Sequence, residues 1–191
     1  MLTTEQIARA CGAKIEDALR FTAPLNDAMT RFEINNANRQ AAFLATVAVE
    51  SAHLSTTREN LFYRDAARLV SIYPRAFKNV AEAEPFARNP KALGDKLYNG
   101  YFGRGLIQLT WQANYIAAGD ALGFDYFRNP ELVERPDHAA LTAAWFWHNT
   151  GCNPLADRDD MREITRRING PRRLHLEERT QMAMRALEWL A

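Results

Sequence analysis

At 191 residues, with 47% hydrophobic and 25% charged side chains, the chain can bury one substantial core and does not have the composition of a disordered segment. A formal net charge of +1 provides little general attraction to a polyanion, so nucleic acid is not an expected partner. Two cysteines are too few for a disulfide framework, and the four histidines show no zinc spacing, so no metal or other cofactor is expected.

In chain order, Thr3 or Thr4 caps a first helix that turns Ile7 and Ala10 inward. A second helix runs from Ile15 towards Phe32, with a break expected at Pro24. The third follows Asn35-Asn36 and carries the apolar run Ala41 to Val49, which places Phe43, Val47 and Glu50 on one stripe. Short helices over Ala66 to Tyr73 and Val80 to Phe86 are punctuated by Pro74 and Pro85. The segment Leu106 to Thr110 alternates, with Leu106, Gln108 and Thr110 on one face and Ile107 and Leu109 on the other, and reads as a short half-buried strand. His138 to His148 aligns Leu141, Ala144, Trp145 and His148, and Asp160 to Ile168 ends at Asn169-Gly170-Pro171. The last helix puts Met182, Ala186 and Leu190 on one face. Trp145 and Trp147 sit in an apolar helix and are assigned to the core.

Glu50 and Glu59 stand out chemically. Glu50 ends an apolar stripe, where desolvation disfavours the charged form and suits a general acid. Along an unbroken helix, at about 1.5 Å per residue, the two carboxylates would lie roughly 13 Å apart, too far to act on one bond. Ser55-Thr56-Thr57 is expected to bend the chain and return Glu59 towards Glu50. Arg58 beside Glu59 would favour the ionised form that a base requires; a solvated pair of Glu59 with Arg58 or Arg64 is the plainer alternative. In Gly103-Arg104-Gly105-Leu106-Ile107-Gln108-Leu109-Thr110, the glycines permit a sharp turn or close approach, and Gln108 and Thr110 offer neutral donors and acceptors suited to sugar hydroxyls and water. Thr110 serves equally well as a cap for a helix beginning at Trp111.

That motif, together with Glu50-Ser51-Ala52, Glu59-Asn60-Leu61-Phe62-Tyr63, Asn114-Tyr115 and Ile164 to Gly170, resembles glycoside hydrolase family 19, and its bacterial and phage members more than plant chitinases. The motifs occur in family order across residues 41 to 179. The resemblance implies a mainly α, lysozyme-like, two-lobed fold with one small β-hairpin and a cleft between the lobes. It makes residues 1–191 a single catalytic domain, with the smaller lobe at approximately 64–96. It further implies inversion, with Glu50 as general acid, Glu59 as general base, and Thr110 helping to hold the attacking water. Gln108, Asn114 and Asn169 match positions that line the sugar cleft. The arginine that supports the acid is Arg179 or Arg185, with Arg179 preferred.

Departures from the family pattern fall at Val49, at Ala52-His53, in the short stretch between Lys96 and Tyr101, at Ala113, and at Pro171-Arg172-Arg173. Arg166-Arg167 and Arg172-Arg173 are expected to form a basic patch that contacts acidic groups of a cell wall. Glu50-x-x-His53 and the acidic run Asp157, Asp159, Asp160 imitate metal motifs without completing them. The amino-terminal residues lack the basic region and apolar run of a signal peptide, and no stable membrane insertion is expected. The expected role is that of a monomeric endolysin acting on peptidoglycan glycan strands. It would be made in a bacterial host's cytoplasm and released through a holin to the wall in the periplasm, with chitin as the alternative substrate and wall binding without catalysis as the non-enzymatic one.

Overall fold

The computed structural model describes residues 1–190, and these residues are mostly helical. Thr3 caps α1 (Thr4–Cys11) in a reciprocal box with Gln6, which satisfies two otherwise orphan backbone donors. The next helix, α2 (Ile15–Arg31), continues unbroken through Pro24, contrary to the expected break. Phe21, Leu25 and Met29 on its inner face are buried, and that packing outweighs the one backbone bond a proline removes. Asn36 caps α3 (Ala37–Glu50), whose residues Ala41 to Ala48 are all buried.

After α3 come α4 (Ala66–Ile72), α5 (Val80–Ala83) and α6 (Pro90–Tyr98). Leu61, Ala66, Leu69, Phe77, Ala83, Leu93 and Phe102 from this region form a small core of their own. Beyond it lie α7 (Gln112–Leu122), α8 (Pro136–Asn149), α9 (Asn153–Ala156), α10 (Met161–Asn169) and α11 (Leu176–Leu190). The main core joins α1, α2, α3 and α8 to the inner face of α11, where Met182, Ala183 and Ala186 are buried. Trp147 is fully buried, donates to Asn153 Oδ1 at 2.7 Å and meets Phe43 edge-on, and Trp145 is buried too, so both belong to the core as expected.

The half-buried strand is not formed. Arg104 and Leu109 make an isolated antiparallel bridge, as do Arg58 and Arg104, so the expected hairpin shrinks to two bridges around a tight turn. Gly105 (φ 75°) and Gln108 (φ 52°) occupy the left-handed region, which folds the chain back and buries both Leu106 and Ile107. Cys11 and Cys152 are free and buried. No helix among the described residues is long and apolar enough to cross a membrane.

Candidate active site

Glu50 is the last residue of α3, and its side chain keeps 15% of its surface. Arg179, from α11, is fully buried, and its Nη2 donates both to Glu50 Oε1 at 2.8 Å and to Asn169 Oδ1 at 2.6 Å. Asn169, the last residue of α10, closes the triangle by donating from Nδ2 to the same Glu50 oxygen at 3.1 Å. The end of α10 and the inner face of α11, both more than a hundred residues from Glu50 in sequence, therefore fix its carboxylate. Arg185 is exposed and takes no part. Oε1 is occupied by two donors, and Oε2 accepts no hydrogen bond among the described residues.

Between the two glutamates the chain turns earlier than Ser55-Thr56-Thr57. Ala52, His53 and Leu54 all have left-handed backbones, with φ of 48°, 60° and 64°. Each costs energy for a residue with a Cβ. Local bonds hold the turn: the His53 amide donates to Ala48 O at 2.7 Å, Ser51 Oγ donates to Val47 O at 2.6 Å, and the Leu54 amide donates to Ser51 Oγ at 3.0 Å. His53 Nδ1 lies 2.8 Å from Cys11 O and ties the turn to the end of α1. These contacts absorb His53, and no group of His, Cys, Asp and Glu able to hold a metal occurs among the described residues.

Beyond the turn, the Glu59 amide donates to Gly103 O at 2.9 Å, and the Gly103 amide donates back to Glu59 Oε2 at 3.0 Å. Tyr98, at the end of α6, donates its hydroxyl to Glu59 Oε1 at 3.2 Å. Burial and the Glu59 charge push the Tyr98 phenol up to about 12, so it keeps its proton and remains a donor across the working range. Arg58 does not serve Glu59. Its guanidinium reaches Glu134 at 3.7 Å and lies over Phe102, because neighbouring side chains in an extended segment point to opposite sides.

Gly103 admits close approach: a Cβ there would lie 2.8 Å from Gln108 Oε1 and 3.3 Å from Glu59 Oε2, so a side chain at this position would displace the ends of both. Gln108 also donates from Nε2 to Gly105 O at 3.0 Å. Thr110 donates to Gln108 O at 2.8 Å and does not cap α7, whose cap position is Trp111. Asn114 donates from Nδ2 to Thr110 O at 2.8 Å. Gln108, Thr110 and Asn114 share a pocket of about 220 Å³ with Trp111, Phe146 and Ile168. A larger apolar groove of about 380 Å³, lined by residues such as Ala41, Met161 and Leu187, contains no hydrogen-bond partner of either carboxylate.

Three contributors were missed in the sequence: Tyr98, Glu134 and the structural use of Arg104. Arg104 is buried and donates to Glu134 Oε1 at 2.8 Å, to Gly100 O at 2.9 Å and to the Tyr115 hydroxyl at 3.1 Å, which locks the turn that carries Gln108. Its place between two glycines was a signal of a constrained backbone, whereas Tyr98 and Glu134 carried none. The basic patch is also reduced. Glu163 pairs with both Arg166 and Arg167, and Arg172 and Arg173 have no carboxylate partner within ion-pair distance among the described residues.

A family model described as chitinase class I matches residues 28–159, a stretch that holds Glu50, Glu59, Gln108, Thr110 and Asn114 and stops short of Asn169 and Arg179. A glycosyl hydrolase family 19 domain-containing protein of Haemophilus influenzae is 32% identical over 149 residues, 71% of this chain and 72% of that protein. An endochitinase of Arabidopsis thaliana is 32% identical over 135 residues, 68% of this chain but only 46% of its own length. Among solved structures, chitinase C from Streptomyces griseus superposes with a TM-score of 0.67 at 24% identity, covering 98% of this chain and 76% of that one. A bacterial family 19 chitinase gives 0.63 at 26% identity, with 99% and 94% covered. The family match over most of the chain, the relative of similar extent and the shared fold establish that the chain belongs to glycoside hydrolase family 19 and is a glycoside hydrolase.

Proposed function

We propose that the chain hydrolyses the β-1,4 bonds of peptidoglycan glycan strands by inversion, as an endolysin. The observation that carries the acid/base assignment is the unequal hold on the two carboxylates. Glu50 has one oxygen saturated by Asn169 and Arg179 and the other free of protein donors, which suits an acid that protonates the leaving oxygen. Glu59 accepts one neutral donor on each oxygen, which orients its carboxyl group for the general-base role. Inversion needs about 6.5–9.5 Å between such groups so that water fits on the far side of the sugar. In this reading Thr110 steadies that water, Gln108 and Asn114 bind the sugar, and the cleft lies between the main core and the small core of α4 to α6.

Chitin is the second reading, favoured by the names of the plant and bacterial relatives. Peptidoglycan is supported by Arg172 and Arg173, which lie just beyond Asn169-Gly170-Pro171 and have no acidic partner among the described residues, so that the exposed Arg172 is placed to meet stem-peptide carboxylates. The endolysin role entails a monomer made in the host cytoplasm and released through a holin.

The test is turbidity loss of outer-membrane-stripped Gram-negative walls beside sugar release from chitin oligomers, using wild type, Glu50→Gln and Glu59→Gln. Wall lysis abolished by both substitutions, with little chitin turnover, is expected. Chitin turnover without wall lysis would move the substrate to chitin. A folded wild type inactive on both would leave only glycan binding. Arg172→Gln/Arg173→Gln is expected to weaken wall binding more than chitin-oligomer binding, and equal effects would remove the carboxylate argument.

A further inference from the structure

Trp111 has a backbone that a tryptophan adopts at a cost. It stands at φ 75°, ψ 134°, where a Cβ crowds its own peptide and glycine is the ordinary occupant. A large aromatic normally offsets such strain by burial, yet Trp111 leaves 56% of its surface exposed. Its amide donates to Tyr101 O at 2.8 Å, which fixes where the side chain leaves the backbone. The indole lies 5.2 Å from the Tyr98 ring, inclined at 59°, and Tyr98 is the residue whose hydroxyl holds Glu59. Trp111 also lines the same pocket as Gln108, Thr110 and Asn114. An exposed aromatic face beside three neutral polar groups matches a pyranose, which has an apolar C–H face and a rim of hydroxyls and an N-acetyl group.

We infer that Trp111 is the stacking platform for the N-acetylhexosamine ring next to Glu59, and that it sets how strongly longer glycan strands are preferred over short ones. The inference rests on the glycosidase reading above. Because Trp111 leans on Tyr98, sugar bound there also braces the donor to Glu59.

The experiment is steady-state hydrolysis of short and long N-acetylglucosamine oligomers and of glycan fragments from peptidoglycan, by wild type, Trp111→Ala and Trp111→Phe. Calorimetric binding of the long oligomers to Glu50→Gln, with and without Trp111→Ala, accompanies it. Trp111→Ala is expected to lower kcat/KM on long strands about tenfold more than on short ones, mainly through KM, the equivalent of about 1.4 kcal/mol. Trp111→Phe is expected to restore most of that loss, and the melting temperature of Trp111→Ala should not fall. Equal losses on all lengths together with a lower melting temperature would mean a structural role and overturn the inference. An unchanged length preference in an active enzyme would overturn it alone. A wild type that neither cleaves nor binds any of these glycans would overturn it together with the proposed function.

Discussion

Arg179→Met tests the network that holds Glu50. The arginine is fully buried, and a single nitrogen, Nη2, makes both of its bonds, to Glu50 at 2.8 Å and to Asn169 at 2.6 Å. Nε and Nη1 are buried without a hydrogen-bond partner among the described residues. Breaking a buried ion pair costs about 3–5 kcal/mol because the remaining charge stays uncompensated, and Glu50, with 15% of its side chain exposed, belongs at the low end. Removing the unpartnered, desolvated N–H groups of Nε and Nη1 returns part of that, about 1 kcal/mol. The net loss is therefore about 2 kcal/mol, which for a chain of this length lowers Tm by roughly 4–8 °C. Glu50→Gln strands the buried cation opposite a neutral amide and should cost about 1–2 kcal/mol. With both changes no isolated charge remains, so the double variant should be more stable than the sum of the singles by about 2 kcal/mol. Urea unfolding followed by circular dichroism, with equal m-values across the four proteins, gives these numbers directly. Additivity within about 0.5 kcal/mol would show that the pair is not energetically coupled and would refute the reasoning.

Gly103→Ala places a methyl 2.8 Å from Gln108 Oε1 and 3.3 Å from Glu59 Oε2; turnover should fall at least about tenfold while the melting temperature moves by a few degrees at most, and full activity would show that the two side chains yield freely. Ala52→Gly relieves a left-handed backbone at φ 48° at an exposed position. It should raise stability by about 0.5–1 kcal/mol after the entropy glycine adds to the unfolded chain, and destabilisation in the same urea experiment would mean that the turn is not strained. Hydrogen bonds from Arg39 and then Asn36 bring the Asp157 carboxyl from its ordinary 3.8 down to about 2, so its stabilisation is complete above the unfolded value and is lost as pH falls from about 4 through about 2. With 34% of the Asp157 side chain exposed, screening reduces the nominal gain of roughly 2.4 kcal/mol to about 1 kcal/mol. Asp157→Asn should therefore be less stable than wild type at pH 6, the gap should narrow steadily below pH 4, and a gap independent of pH would contradict the assignment.

The helices were legible because their signals are local. Thr3, Asn36 and Asp160 cap the helices that follow them, and the apolar stripes of α3 and α11 face the core. The errors arose where a local pattern has two solutions. Alternation over Leu106 to Thr110 fits a strand, but it fits equally a tight turn whose two apolar residues are both buried, and the choice was made by Gly105 and Gln108 adopting left-handed backbones. Pro24 reads as a breaker until the buried face of α2 is known. Arg58 reads as the neighbour of Glu59 until Glu134 is seen to hold it.

The candidate site adds a different difficulty. Glu50 and Glu59 are close in sequence, but Arg179 lies 129 residues from Glu50 and Tyr98 lies 39 from Glu59, so neither support leaves a periodic trace near its carboxylate. Family resemblance supplied Asn169 because its motif is itself recognisable, left Arg179 and Arg185 as alternatives because the pattern departs after Gly170, and could not supply Tyr98, which lies outside every matched motif. The division has a physical origin. Glu50 sits at a helix end against the main core, where a buried cation is needed to offset desolvation, and a buried cation needs a fixed partner such as Asn169. Glu59 sits in a half-buried loop, where one amide and one phenol suffice, and a phenol can be delivered from any helix end that reaches it. Arg179 should therefore tolerate little replacement, whereas Tyr98→Phe should be repaired in part by water entering beside Glu59, costing turnover on the order of tenfold with little change in unfolding free energy. A loss of stability for Tyr98→Phe as large as that for Arg179→Met would show that both carboxylates are held by the same kind of buried network.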